Sequence, residues 1–338
     1  MITKEERYSR QIRFSPIGKD GQYRLSQSKV LIVGAGALGT VLASHMVRSG
    51  AGAIRIADRD YVEWSNLQRQ MLFDEEDAAA SLPKAVAAKA KLMRINSDCE
   101  IDARVTDVTA ANVHELIDGA DVVLDGTDNF HTRYILNDAC FQAGIPYIYG
   151  GAVGARGMSA PFLPGETCCL RCMMPEATQD GQTCETIGVV APIVDVVASY
   201  QAIEALKLLT RNHSAVRKSL LTWDLWEHQT YEMKLPPSRA DCPTCGMKSY
   251  PALDLSQTPV SVLCGRETIQ FDGGSPLNLD EWEKRLQPAG RVTRNPFLLR
   301  VELPDGEKLV LFPDGRVLVQ GTEDPTKAKS LFSRYLGN

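Results

Sequence analysis

The chain has 338 residues, of which 44% are hydrophobic and 23% charged, and its formal net charge is −5 at pH 7. The acidic balance gives no reason to expect nucleic acid or an anionic membrane as a partner. The first ten residues are polar and lack the apolar core of a signal peptide, and no stretch approaches the roughly 20 apolar residues of a membrane span. We therefore expect a cytoplasmic enzyme with one large and one small domain.

The N-terminal part of the chain predicts a strand–turn–helix–strand unit. An apolar run, Lys29–Val33, precedes three glycines with the spacing of a nucleotide-binding turn, Gly34, Gly36 and Gly39. A helical pattern follows at about residues 40–50, and the next apolar run, at residues 53–57, ends on Asp58. Glycines here permit a tight turn, a close approach of backbone to phosphate, and close helix–strand packing. The unit predicts a nucleotide site, but the glycines do not distinguish NAD from ATP.

Helices and strands continue to alternate as far as about residue 149. Further helices are expected at residues 84–96 and 131–143, and further strands at residues 101–105, 121–124 and 146–149. This order predicts an α/β fold with a Rossmann-like, doubly wound, mainly parallel sheet. Residues 152–163 and a hairpin at 220–234 would extend it with antiparallel strands. The apolar stretch at 189–209 carries charged residues, so we expect a core or dimer-interface helix there.

Beyond residue 248 the pattern changes to short strands with two helices. We predict a larger domain at residues 1–248 and a small α+β domain at residues 249–338, which serves for interaction. The alternative is a structural addition to the dimer. The segment at 264–268 begins with a cysteine and partly resembles the active-site loop of a rhodanese. It lacks the six-residue cradle ending in arginine, so we do not expect a sulfurtransferase.

A polar cluster between the predicted elements favours ATP over NAD. Arg69 and Lys84, with the amide of Asn66, could clamp a triphosphate, which a dehydrogenase does not require. An exposed polar loop with a lysine at a helix start is the plainer interpretation. Asp128 follows the strand at 121–124, where ligands of open α/β sheets bind, so it is a candidate Mg²⁺ ligand or a helix cap.

Two Cys-x-x-Cys pairs predict a metal centre. Cys169 and Cys172 form the first pair, Cys242 and Cys245 the second, and four thiolates suit tetrahedral Zn²⁺. The alternative is a set of free buried thiols. Cys168 adjoins the first pair and leaves its ligand assignment slightly ambiguous.

Taken together, these segments resemble the ThiF/MoeB branch of the ubiquitin-activating-enzyme superfamily. The resemblance runs from about residue 5 to 248 and is carried by residues 7–12, 34–39, 58, 66–70, 83–84 and 126–129. It implies an adenylyltransferase that uses ATP and Mg²⁺ to adenylylate the C-terminal Gly-Gly carboxylate of a ubiquitin-like sulfur-carrier protein, releasing pyrophosphate. It also implies a homodimer, and a cysteine desulfurase or another sulfur donor as a later partner.

The resemblance also implies roles for single residues. Asp58 would hold the ribose hydroxyls, and Asp128 would coordinate Mg²⁺. The triphosphate would be bound by Asn66, Arg69 and Lys84. Arg10 matches an arginine that reaches across the homodimer into the neighbouring ATP site. Cys184 matches a position where some members carry a cysteine that bonds covalently to the carrier, and a thiol near a helix start has its thiolate favoured. The alternative is a loop cysteine that the reaction does not require.

The pathway stays open at this point. The extra C-terminal domain and the missing rhodanese favour a ThiF-like enzyme acting on a ThiS-like carrier for thiamin thiazole biosynthesis. The alternatives are a MoaD-like carrier in molybdopterin biosynthesis, and a relative that activates a small carboxylate or tRNA. An NAD-dependent oxidoreductase is a distant alternative, because no residue set for hydride transfer is evident.

Overall fold

The computed structural model describes residues 4–175, 187–255, 262–263, 268–272, 275–322 and 324–337. The chain divides into two compact units, Met1–Leu255 and Ser256–Asn338. Cys184 and the segment at 264–267 lie outside the described residues.

The larger unit alternates strands and helices along the chain. Its strands are β1 (Lys29–Val33), β2 (Ala53–Asp58), β3 (Glu100–Val105), β4 (Val122–Asp125), β5 (Tyr147–Val153), β6 (Arg156–Phe162), β7 (Ser219–Asp224) and β8 (Gln229–Lys234). Its described α-helices are α1 (Lys4–Arg7), α2 (Ser9–Ile12), α3 (Gly18–Leu25), α4 (Ala37–Ser49), α5 (Glu75–Ala79), α6 (Lys84–Ile95), α7 (Val113–Ile117), α8 (Phe130–Ala143), α9 (Leu170–Met173) and α10 (Ala191–Leu209).

All eight strands join one sheet in the order β3-β2-β1-β4-β5-β6-β7-β8. The first five run parallel, and β6, β7 and β8 continue the sheet antiparallel. The predicted Rossmann-like sheet with its antiparallel extension is thereby confirmed. The strand order reverses between β1 and β4, and the crevice at their carboxyl ends is where sheets of this kind bind ligands.

Each face of the sheet carries its own hydrophobic core. One core includes Leu42 and Met46 of α4, Leu92 of α6 and Val197 of α10, and the other includes Leu116 of α7 with Leu136 of α8. Helix α4 begins at Ala37, earlier than the sequence pattern indicates, because Gly36 caps it directly after the turn. Among the described helices, none combines the length and apolarity needed to cross a membrane.

The smaller unit has six described strands and two described α-helices. They are β9 (Val262–Leu263), β10 (Thr268–Asp272), α11 (Leu279–Leu286), β11 (Arg291–Arg294), β12 (Leu299–Glu302), β13 (Lys308–Leu311), β14 (Arg316–Gln320) and α12 (Pro325–Leu336). The strands form one antiparallel sheet in the order β11-β12-β13-β14-β10-β9. The α+β character is as predicted. Strand β11 has the sequence RVTR, whose single apolar residue is too weak a signal to reveal it.

Candidate nucleotide and metal sites

Two backbone turns touch at the crevice between β1 and β4. Gly34, directly after β1, has φ +88°, which favours glycine. A Cβ placed on Gly39 would lie 1.8 Å from the carbonyl oxygen of Gly34, and one on Gly126 would lie 2.6 Å from the same oxygen. Any larger residue at these positions would force the turns apart. The glycine pattern therefore serves packing, while it leaves the start of α4 open to an anion.

Asp58, at the end of β2, is tied to this turn. One carboxylate oxygen accepts a hydrogen bond from the backbone N–H of Ala35 at 2.6 Å, and the other accepts one from the N–H of Asp60 at 2.7 Å. The side chain is buried, with 8% of the residue exposed. Burial raises the pKa of Asp58, and the positive charge of Lys84 acts against that rise. A carboxylate can accept about four hydrogen bonds, so Asp58 keeps capacity for a ligand.

Lys84 is held in place by an acidic residue that sequence reasoning missed. Its Nζ lies 3.2 Å from a carboxylate oxygen of Asp60, and its backbone N–H donates to the carbonyl of Asp60 at 2.9 Å. Lys84 is almost fully buried at the first turn of α6. The spacing Asp-x-Asp from Asp58 to Asp60 is the only sequence signal for this arrangement. The structure thus brings Asp58 and Lys84 together through Asp60.

The segment after β2 presents the polar side chains of residues 66–70. Asn66 is buried in a 3₁₀ turn, and its side-chain oxygen accepts from the N–H of Glu63, the N-cap of that turn, at 3.1 Å. Arg69 is half-buried, and its Nη1 donates to the carbonyl of Ser65 at 2.9 Å. Gln70 is 3% exposed, and its buried side-chain oxygen has no hydrogen-bond partner within the described residues. Its amide nitrogen lies 4.0 Å from where a Cβ of Gly36 would be, so this segment faces the glycine turn.

Asp128 lies on the loop between β4 and α8 and is exposed. The cap of α8 is the neighbouring Asn129, whose side chain accepts from the N–H of Thr132 at 2.8 Å. Helix capping therefore does not account for the carboxylate of Asp128, which leaves the interpretation as a cation ligand in place.

Arg10 does not join the other predicted residues. Gln11 donates from Nε2 to the carbonyl of Ser49, the last residue of α4, at 2.9 Å. The hydroxyl of Tyr8 accepts from the side chain of Asn96, the C-cap of α6, at 2.9 Å. Helix α4 has 13 residues and is therefore about 20 Å long. Arg10 is exposed near the end of α4 that lies away from the glycine turn.

The four cysteines of the two pairs form one compact group. Their Sγ atoms all lie within 4.8 Å of one another, with Cys169 3.9 Å from Cys172 and 3.6 Å from Cys242, and Cys172 3.4 Å from Cys245. Four thiolates at about 2.3 Å around a tetrahedral ion are roughly 3.8 Å apart, so the group fits a metal ion.

A buried carboxylate on α8 holds both halves of the cysteine group. Asp138 is fully buried, pairs with the guanidinium of Arg171 at 3.2 Å, and accepts hydrogen bonds from the hydroxyl of Thr244 and the N–H of Ala252. Arg171 lies within the first cysteine pair and Thr244 within the second. The neighbouring Asn137 accepts from the N–H of Leu170 at 2.9 Å. These contacts anchor the group to the middle of α8.

Comparisons with known proteins agree with this geometry. The profile of the ThiF family matches residues 8–244. The chain is 44% identical over 336 residues to the sulfur carrier protein ThiS adenylyltransferase of Bacillus subtilis (strain 168), over 98% of this chain and 99% of that protein. It is 39% identical over 241 residues to the protein of the same name from Escherichia coli (strain K12), over 71% of this chain and 94% of that protein.

The fold also resembles solved structures. The crystal structure of E. coli MccB with MccA-N7isoASN aligns with a TM-score of 0.63 and 25% identity, over 71% of this chain and 75% of that chain.

The two ThiS adenylyltransferases differ in how much of this chain they match. The alignment with the E. coli protein covers 94% of that protein, so little of its sequence lies outside the alignment. It therefore has almost no room for a counterpart of the smaller unit, whereas the B. subtilis protein aligns along nearly the whole chain.

The geometry of the cysteine group predicts that replacing one of its four cysteines removes a bound metal ion, whereas replacing the adjacent Cys168 does not. Cys169→Ser should lose the bound metal and several kcal/mol of unfolding free energy, because three thiolates remain for a tetrahedral ion. Cys168→Ser is the matched control, since Cys168 is an adjacent buried cysteine outside the group. Metal per chain, measured by plasma mass spectrometry, together with the melting temperature, checks this. Equal metal content in the two variants would contradict the assignment.

Proposed function

Because the chain belongs to the ThiF family, we propose that it uses ATP to adenylylate the C-terminal Gly-Gly carboxylate of a ThiS-like sulfur-carrier protein, for thiamin thiazole biosynthesis. The chain is an adenylyltransferase of the same kind as its relatives. The observation that carries the proposal is the match to a ThiS adenylyltransferase along nearly the whole chain. The glycine turn after β1, with Asp58 and Lys84 close to it, supports the proposal.

The proposed reaction is an in-line attack by a carboxylate oxygen of the carrier on the α-phosphorus of ATP. The bond from that phosphorus to the bridging oxygen breaks, and pyrophosphate leaves with the electron pair. No covalent nucleophile of the enzyme is required at this step. The task of the site is to position the two anions and to offset their charge.

The geometry supports a division of this task among the site residues. The start of α4, with Gly36 as its cap, offers free N–H groups to phosphate. Asp58, fixed against the glycine turn, would accept the ribose hydroxyls. Lys84, held by Asp60, and Arg69 would bind the triphosphate with help from Asn66. Asp128 would hold the Mg²⁺ that offsets charge near the α-phosphate.

Arg10 would complete the site of a neighbouring subunit. Within its own chain, α2 is anchored at the end of α4 away from the glycine turn. An arginine side chain is far shorter than the roughly 20 Å length of α4. We therefore assign Arg10 to the nucleotide site of the other protomer in a symmetric homodimer, where a two-fold axis repeats the exchange in both directions.

Mixed dimers test this crossed arrangement. Arg10→Ala and Arg69→Ala should each lower adenylylation strongly as homodimers. In a heterodimer of the two, one site would carry both defects and the other neither, so up to about half of the activity should return. Differently tagged subunits, purified as heterodimers, provide the measurement. Heterodimers that are no more active than either homodimer would show that both arginines act in the same chain's site.

The cysteine group would hold Zn²⁺. Four thiolates fill a tetrahedral coordination sphere, so the ion would have no open position for substrate and would serve the fold. Cys169, Cys172, Cys242 and Cys245 would be its ligands, with Asp138 orienting the segments that carry them.

An exchange assay tests the reaction and its substrate. With Mg²⁺ and labelled pyrophosphate, the chain should exchange label into ATP only in the presence of a ThiS-like carrier with an intact Gly-Gly end. A MoaD-like carrier and tail-deleted forms of both carriers are the comparisons. Exchange with the MoaD-like carrier alone would assign the molybdopterin pathway, and exchange with a small carboxylate or with RNA would remove the carrier proposal.

The same exchange assay tests whether Cys184 is needed for adenylylation, the first step of the reaction. We propose that the Cys184 thiolate attacks the carbonyl of the carrier adenylate only after adenylylation, so that AMP leaves and a thioester forms before sulfur transfer from a cysteine desulfurase or another donor. Cys184→Ser should therefore keep full exchange and lose only formation of the carrier thiocarboxylate. Loss of exchange in this variant would place Cys184 in the adenylylation step.

The smaller domain, proposed at residues 249–338, would help to bind the carrier. The E. coli relative has almost no room for it, so the adenylylation step does not depend on such a unit in that protein. A chain that ends after Leu255 should reach the exchange rate of the full chain at saturating carrier, with a carrier KM raised several-fold. An unchanged KM for the carrier would contradict the docking role. The melting temperature of the shortened chain shows whether its fold is retained.

A further inference from the structure

A buried arginine on α8 contacts the loop that carries Asp128. Arg133 is 6% exposed and lies in the first turns of the helix. Its Nη2 donates to the carbonyl of Thr127 at 2.7 Å and to the carbonyl of Gly150 in β5 at 3.0 Å. Its guanidinium carbon lies 5.1 Å and 5.0 Å from the ring centres of Phe130 and Tyr149. Arg133 therefore ties the β4–α8 loop to the neighbouring strand.

A buried carboxylate completes the network from the other side. Asp125, the last residue of β4, is fully buried and lies 3.2 Å from Nε of Arg133. It also accepts from the backbone N–H of Thr127 at 2.8 Å, from the hydroxyl of Thr127 at 2.7 Å, and from the hydroxyl of Tyr147 at 2.7 Å. Thr127 is thus held at its nitrogen, its hydroxyl and its carbonyl, directly before Asp128.

Stability alone does not explain this network. A buried ion pair costs so much desolvation that well-packed apolar residues often stabilise a fold equally well. Here the donors and acceptors converge on one residue of a four-residue loop, and they restrict its backbone. Burial opposes the charge of Arg133, but nearby groups, among them the Asp125 carboxylate, raise its pKa above the ordinary value.

We propose that Arg133 and Asp125 are positioning residues that hold the Asp128 carboxylate where it binds the Mg²⁺ of the nucleotide. This inference rests on the function proposed above, in which Asp128 is a Mg²⁺ ligand. Residues that orient a metal ligand affect metal affinity when they are changed, commonly by 10- to 100-fold. Neither Arg133 nor Asp125 touches the reacting atoms in this account.

The test is the Mg²⁺ dependence of pyrophosphate exchange in the full chain. Arg133→Gln should raise the half-saturating Mg²⁺ concentration by about tenfold or more. Nucleotide binding without Mg²⁺, measured by calorimetry, should stay within about twofold of the original value. A purely structural role predicts a lower folded fraction with an unchanged half-saturating Mg²⁺ concentration, and that result would overturn the proposal.

Arg55→Gln is the matched control. Arg55 on β2 also pairs with an aspartate, Asp102, and donates to three backbone carbonyls, those of Glu115, Leu116 and Asp118. Within the described part of the chain, none of these hydrogen bonds is made to the β4–α8 loop. Its substitution should lower the melting temperature without changing the Mg²⁺ dependence. A shift in this variant equal to that of Arg133→Gln would also overturn the proposal.

Thr127 provides a milder variant should Arg133→Gln fold poorly. Thr127→Val removes the hydroxyl that donates to Asp125 but keeps the side-chain shape, and it should raise the half-saturating Mg²⁺ concentration several-fold. Thr127→Ser keeps the hydroxyl and should restore the original value. Equal Mg²⁺ dependence in the two Thr127 variants would count against the network as a positioning device.

The variant Asp128→Asn distinguishes a failure of the positioning role from a failure of the proposed function on which it rests. A Mg²⁺ dependence unchanged in Asp128→Asn would overturn the assignment of Asp128 and, with it, this inference. A shift in Asp128→Asn without one in Arg133→Gln would overturn the positioning role alone. Absence of exchange in the unaltered chain with every carrier would instead reject the proposed function.

Discussion

The site depends on the contact between two backbone turns at the carboxyl ends of β1 and β4. The carbonyl oxygen of Gly34 occupies the space that a side chain on Gly39 or Gly126 would need, so the turns meet only because all three residues are glycine. This contact brings the start of α4 and the β4–α8 loop to the two sides of one crevice. The nucleotide-binding geometry is therefore a consequence of packing, and the polar residues are arranged around it.

Helix α8 connects the nucleotide side of the sheet with the cysteine group. Its first turns carry Arg133, which holds the loop before the helix, and its middle carries Asn137 and Asp138, which hold the two cysteine segments. The distance from Arg133 to Asp138 along the helix is roughly 8 Å. A metal ion bound by the four cysteines would thus support the site without taking part in the chemistry, because the cysteine segments and the loop before α8 both contact this one helix.

Local sequence patterns predicted the α/β sheet, the glycine turn and the cysteine pairs, because each depends on residues close together in the chain or on ligand spacing. The role of Asp125 with Arg133 could not be predicted in this way. Tyr147, which donates to Asp125, and Gly150, which accepts from Arg133, are distant from them in sequence. A buried charged residue also produces no periodic pattern in the sequence. The position of Arg10 also required the structure, since only the anchoring of α2 shows which end of α4 it occupies.

The central claim is that a carboxylate oxygen of the carrier becomes bonded to the α-phosphorus of ATP, so that the intermediate is an acyl adenylate. The most direct measurement labels the terminal carboxylate of a ThiS-like carrier with a heavy oxygen isotope and analyses the released AMP by mass spectrometry after sulfur transfer. Attack by the carboxylate leaves one labelled oxygen bridging carbon and phosphorus, and that oxygen departs with AMP when the adenylate is cleaved at its carbonyl. Labelled AMP with pyrophosphate as the other product is the predicted result. Unlabelled AMP, or release of ADP and phosphate, would contradict the account.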